Sequence, residues 1–159
     1  MPTKSTRSAT KPADARPAQR VRVQLASRSR RIPPASRFRA WVRAAAPGAT
    51  GVTDVTIRLV TVTEGRRLNM AFRGRNYATN VLTFAYDTAH GDIVLCPQVI
   101  VGEARAQAKS LEAHYAHLTV HAILHLRGHD HERPTDAARM ERAEVRILRR
   151  LGHPNPYLI

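Results

Sequence analysis

Eleven residues constrain this chain more than any others: HAILHLRGHDH, positions 121–131. His121 and His125 stand four apart, a spacing that on a helix projects two imidazoles side by side from one face. Gly128 follows within a turn and can take the left-handed conformation that ends a helix. The reversed chain then carries His131 back toward the first two. Three neutral imidazoles converging at about 2.0–2.1 Å from one point make a three-ligand zinc site whose fourth position stays open to water. Open sites of this kind are catalytic, because the metal acidifies its water. All eight histidines lie at or beyond position 90, and six fall between 114 and 131. His129 is the alternative third ligand. His114 and His117 share the stripe of His121 and His125 and are assigned to packing or to bonding behind the ligands. Asp130 is placed either to orient His131 or another ligand by a hydrogen bond, or to cap the loop.

The same histidine spacing occurs in zinc proteases of the metzincin type, which need a glutamate directly after the first histidine as general base. Here that position is Ala122, whose methyl moves no proton, so a protease is set aside. One cysteine, Cys96, excludes a disulfide framework and any CxxC site and fits a reducing cytoplasm. It ends an apolar stretch and reads as a small buried hydrophobe rather than a nucleophile. No apolar run approaches the roughly 18 residues of a membrane span, and no secretory h-region opens the chain.

Around the histidines the pattern alternates strands and helices. Residues 21–25, 55–60, 81–86 and 92–96 read as strands. Helices are expected after Ser36 (Phe38, Trp41, Val42), after Thr63 (Leu68, Phe72) and from Pro97 to about Lys109. Two more follow: one from Ser110 to Gly128, and one from Thr135 with Met140, Ala143, Ile147 and Leu151 in one stripe. The expected fold is α/β (α+β): one four-stranded mixed sheet covered by about five helices, with the zinc site on the histidine helix.

The net charge is +14, and its distribution is uneven. Residues 1–43 carry twelve Lys and Arg against Asp14 alone, whereas residues 44–159 carry fourteen against eleven acids. Residues 1–19 hold three prolines and no large apolar residue after Met1, which predicts a disordered basic extension before a 20–159 domain. An organelle transit peptide is the other reading of that stretch. Excess positive charge points to a polyanion, nucleic acid first and an anionic membrane surface second.

Several motifs in order resemble the YbeY family of bacterial rRNA maturation factors, metal-dependent endoribonucleases. LNMAFRGRNYATNVLTFAY (68–86), GDIVLC (91–96), HAILHLRGHDH and LGHPNPY (151–157) are each similar to that family's blocks, and the likeness extends over nearly all of 21–159. Ala122, where the family has glycine, His153 and the extension before Val21 depart from it. The resemblance implies a zinc-dependent hydrolase with one Zn2+ per chain and no small-molecule cofactor. It implies action on single-stranded RNA, 3′-end maturation of 16S rRNA and ribosome quality control, with the small subunit and assembly factors as partners, in the cytoplasm and off the membrane. Metal ligation carries over to His121, His125 and His131, and the functional arginine to Arg73. An arginine in a helix-ending turn can itself fork onto a phosphate and neutralise charge building on phosphorus, whether water or the ribose 2′-hydroxyl attacks. Arg73 and Arg75 are taken as RNA-contacting, and Thr79 and Asn80 as loop-holding or RNA-contacting. A metal-bearing assembly factor with little nuclease activity and a metallohydrolase on another substrate are the competing readings.

Overall fold

The computed structural model describes residues 18–158. Four strands, β1 (Arg20–Leu25), β2 (Asp54–Leu59), β3 (Val81–Ala85) and β4 (His90–Leu95), pair in the order β1-β2-β4-β3. β1, β2 and β4 run parallel, and β3 is antiparallel on β4. The helices are α1 (Ala35–Ala45), α2 (Val62–Arg73), α3 (Pro97–Ala106), α4 (Leu111–Leu126) and α5 (Pro134–Arg150). This is the expected mixed sheet under five helices. Among the described residues no helix is long and apolar enough to cross a membrane.

Period-two alternation puts Val55, Ile57 and Leu59 of β2 on one face, all fully buried, with Ile57 beside Ile93 and Leu59 beside Leu95 of β4. Phe38, Trp41 and Val42 of α1 join this core, as does most of α4. Ten of the sixteen α4 residues are buried, because a helix apolar nearly all round has to sit inside. Each large side chain buried there contributes about 1.5–3 kcal/mol, so the helix that carries the histidines is firmly anchored. Its C-terminal end reaches the sheet at Gly91, where a Cβ would lie 2.4 Å from Leu126 Cδ2. The opposite face of the sheet has a smaller cluster of Val60, Leu82, Val94 and Cys96, covered by Val62 and Leu68 of α2.

Helix ends differ from expectation. The cap of α2 is Thr61, not Thr63: its hydroxyl accepts from the amide of Glu64, and the T-x-x-E spacing starts the helix earlier. Neither Ser36 nor Thr135 caps. Pro34 and Arg133 occupy those positions without side-chain bonds, and Pro134 brings its fixed φ to the first turn of α5. α3 stops at Ala106, short of Lys109, and Ala108 takes a positive φ of 52° so that Ser110 can cap α4 through the amide of Ala113. The extension read over 1–19 lies outside the described residues as far as residue 17. Gln19 donates its amide to the carbonyls of Ala46 at 2.8 Å and Val52 at 3.0 Å, just ahead of β1.

Candidate metal centre

α4 runs through both His121 and His125, then stops at Leu126, and Gly128 turns the chain with a φ of +91°. His129 donates its backbone amide to the Leu124 carbonyl at 3.0 Å, closing the helix end. The turn returns His131 to the helix face, and ligand atoms of His121, His125 and His131 all lie within 4.8 Å of one another. The closest approaches are Nε2 of His121 to Nε2 of His125 at 3.2 Å, and Nε2 of His125 to Nδ1 of His131 at 3.1 Å. His129 contributes its carbonyl rather than its ring to this arrangement, where it accepts from His125 Nδ1.

The other ring nitrogens have partners of their own. Nδ1 of His121 donates to Glu144 Oε1 at 2.5 Å, and Nδ1 of His125 donates to the His129 carbonyl at 3.1 Å. The ε nitrogens of the two rings therefore face each other, Nε2 to Nε2, at 3.2 Å. A cation bound by both nitrogens at about 2.0–2.1 Å fits between them at that separation. Burial first, then the neighbouring His121 and His131, push His125 down to about 4, so it is unprotonated near neutrality and available to a metal. The donor set therefore fits a divalent ion that takes imidazole nitrogen.

Glu144 lies on α5, fully buried, and accepts from three donors: His117 Nε2 at 3.1 Å, His121 Nδ1, and the Tyr157 hydroxyl. Burial alone would raise this carboxyl, but the bonds from His117, His121 and Tyr157 outweigh it and hold it at about 2. Burial and the Glu144 carboxylate together raise the Tyr157 phenol. His117, His121 and Glu144 also meet the distance requirement for a metal group. The proton on His121 Nδ1 is already in the bond to Glu144, so this trio is a hydrogen-bonded support behind the ligand. A carboxylate on the far nitrogen of a ligand histidine fixes its tautomer and raises its basicity.

Glu144 is not among the expected site residues, yet it leaves a trace in the sequence. It falls four residues after Met140 and three before Ile147, inside the apolar stripe of α5. A carboxylate in such a stripe requires partners. Asp130, one of the expected supports, instead accepts from the backbone amides of His131 at 2.7 Å and Glu132 at 3.2 Å, capping the loop. Its carboxylate bonds no ligand ring. His114 is buried and bonds Glu103 at 3.3 Å rather than any of the three ligands.

Arg73 is the last residue of α2, before Gly74 in its left-handed cap. It is exposed and, among the described residues, takes part in no side-chain hydrogen bond or ion pair. Arg75 is exposed beside Tyr77, whose hydroxyl accepts from its Nη1 at 3.4 Å. Asn80 holds the loop: it bonds Glu103 at 3.2 Å, accepts from the Val81 amide at 2.7 Å, and its carbonyl accepts from Cys96 at 3.1 Å. No hydrogen bond joins either arginine to the histidines. Cys96 is buried and its thiol is pushed up by desolvation, consistent with packing rather than reactivity.

Fold and site together define a small α/β protein with a cluster of three histidines able to hold a metal ion. Residues 26–152 match the family described as Endoribonuclease YbeY, and the chain belongs to that family. It is 49% identical over 152 residues to the Endoribonuclease YbeY of Aromatoleum aromaticum, covering 93% of this chain and 97% of that one. It is 51% identical over 140 residues to that of Nitrosomonas europaea, covering 86% and 84%. The solution structure of TM1509 from Thermotoga maritima has the same fold, with a TM-score of 0.55 and 21% identity over 88% of this chain and all of that one.

Proposed function

We propose that this chain is a zinc-dependent endoribonuclease, specific for single-stranded RNA, that matures the 3′ end of 16S rRNA and serves late ribosome quality control. The small subunit and its assembly factors are its partners, the cytoplasm its compartment. Residues 20–159 are the working domain, and 1–19 a basic extension. The observation that carries this reading is the convergence of His121, His125 and His131, with the Nε2 atoms of the first two 3.2 Å apart, in a family whose relatives are named endoribonucleases.

In this reading one zinc per chain is held by His121, His125 and His131. When bound, the ion supplies Lewis acidity toward the phosphodiester. Glu144 keeps His121 presenting its Nε2, the His129 carbonyl does the same for His125, and the Asp130 cap holds the loop bearing His131. Arg73 lies against the scissile phosphate, where a guanidinium neutralises charge that develops on equatorial oxygens. Arg75 contacts a flanking phosphate. Ala122, fully buried in the core, supplies no base.

The test compares wild type with His121→Ala on single-stranded RNA bearing an unprocessed 16S 3′ end and on a duplex control. Expected are about one zinc per wild-type chain, cleavage of the single strand alone, and loss of both zinc and cleavage in the variant. Cleavage that persists in zinc-free His121→Ala overturns the metal assignment. RNA binding without cleavage by the zinc-loaded protein returns the assembly-factor reading.

A further inference from the structure

Five arginines, Arg139, Arg142, Arg146, Arg149 and Arg150, are spaced along α5 by three or four residues except for the last pair. Such spacing lays them along one side of the helix. Three arginines elsewhere are matched: Arg22 with Asp54, Arg37 with Glu112, Arg58 with Glu64. Among the described residues none of the five α5 arginines has a carboxylate or hydrogen-bond partner. Four of them, Arg142, Arg146, Arg149 and Arg150, line a shallow groove of about 720 Å³ together with Tyr157 and a single acid, Glu141. The fifth, Arg139, lines a second hollow with Arg127, His129 and two acids, Asp130 and Asp136, at the loop that carries His131.

Tyr157 lies between this groove and the support behind His121. Its ring borders the groove and is 43% exposed, while its hydroxyl bonds Glu144, which in turn holds His121. An aromatic face beside unpaired guanidinium groups suits a single strand, whose bases stack and whose phosphates pair with arginine.

We infer that the α5 groove is the track along which the sugar–phosphate backbone of single-stranded RNA reaches the three-histidine pocket, with Tyr157 as a stacking platform. This rests on the proposed ribonuclease reading for its substrate, but it assigns binding to a surface that holds none of the proposed catalytic groups. The groove sets affinity and the pocket sets the rate at saturation.

The experiment uses the full zinc-loaded chain, a labelled single-stranded RNA of about 20 nucleotides and a salt titration. Arg146→Glu/Arg149→Glu is expected to weaken binding at least tenfold and to lower the slope of log affinity against log salt by about 1.4, near 0.7 for each phosphate no longer neutralised. Arg146→Lys/Arg149→Lys, which keeps the charge, stays within about threefold, and zinc content is unchanged in both. Arg39→Glu/Arg43→Glu makes the same charge change on α1 and is the control. Equal weakening in the control, or unchanged affinity and slope in the groove variant, overturns the track. So does a groove variant that loses binding only to vesicles of anionic lipid. A wild type that binds RNA through the groove yet cleaves no RNA overturns the ribonuclease reading and leaves the track standing.

Discussion

The C-terminal end of α4 and the C-terminal end of α2 both present proposed catalytic side chains, and they are built in opposite ways. At α4, His121 and His125 are half-buried, their far nitrogens are bonded, and Glu144 behind them is sealed by three donors. At α2, Arg73 is exposed and, among the described residues, its side chain is unbonded; Phe72 beside it is 65% exposed, and the described cluster beneath has four buried residues. The difference follows from what each group binds. A metal site needs ligands fixed in angle and tautomer before the ion arrives, so the fold freezes them. A guanidinium that meets a phosphate brings its own fixed fork of donors, so its geometry is completed by the substrate.

The comparison breaks first at Arg73. Arg73→Ala is expected to slow RNA cleavage about 100- to 1000-fold, as loss of one transition-state charge stabiliser does, with zinc content unchanged and stability altered by less than about 1 kcal/mol. Single-turnover rates, zinc analysis and a melting curve measure the three together. A variant that cleaves normally but melts many degrees lower makes Arg73 a structural residue, and the contrast with α4 disappears.

Glu144→Gln sharpens the other side. Losing the charge that orients His121 is expected to lower zinc affinity about 10- to 100-fold, read by competition with a chelator. Tyr157→Phe removes one of the three donors and should fall between wild type and Glu144→Gln. If Glu144→Gln binds zinc as tightly as wild type, the carboxylate only packs.

The pH dependence of the metal-free protein tests the same freezing. His125 is held near 4, below its ordinary value of 6.5, so the unfolded chain binds more protons between those values. Folding stability should therefore decline as pH falls from about 6.5 toward 4. Glu144, held at about 2 against 4.5, is a depressed carboxylate whose stabilisation is present above 4.5 and lost as pH falls toward 2. Urea midpoints of metal-free protein across this range, for wild type and His125→Gln, measure it. The variant should flatten the upper part of the curve. A midpoint independent of pH from 6.5 to 4 in wild type would show that the pocket does not hold His125 neutral.

The smallest effect is expected at Asp130. Its two backbone bonds are those of a loop cap, worth about 1 kcal/mol, so Asp130→Ala should cost that much stability and change zinc affinity less than Glu144→Gln does. A larger loss of zinc than in Glu144→Gln would return Asp130 to the role of ligand support.

Local pattern carried a great deal here. One alternating run and three apolar stretches located the four strands, and His121, His125 and Gly128 announced a helix, its end and the return of a third imidazole, because each depends on neighbours within a few residues. Ser110 and its cap of α4 were legible for the same reason. Thr63 and Thr135 misled because capping is decided by where the helix starts, and Thr61 and Pro134 settled that.

Only the tertiary structure decided what stands behind the ligands and beside them. Glu144 meets His121 because α5 packs on α4, and Tyr157 meets Glu144 because the chain turns back after α5. No periodicity within either segment encodes those meetings. The arginines of α5 were hidden inside a nearly balanced charge count, since eleven acids offset fourteen bases over residues 44–159 when position is ignored. Folding buries Glu144 among its donors and leaves four of the arginines along one groove. Sequence determines which residues a helix face carries; burial, which depends on every element at once, determines which of their charges remain for a partner.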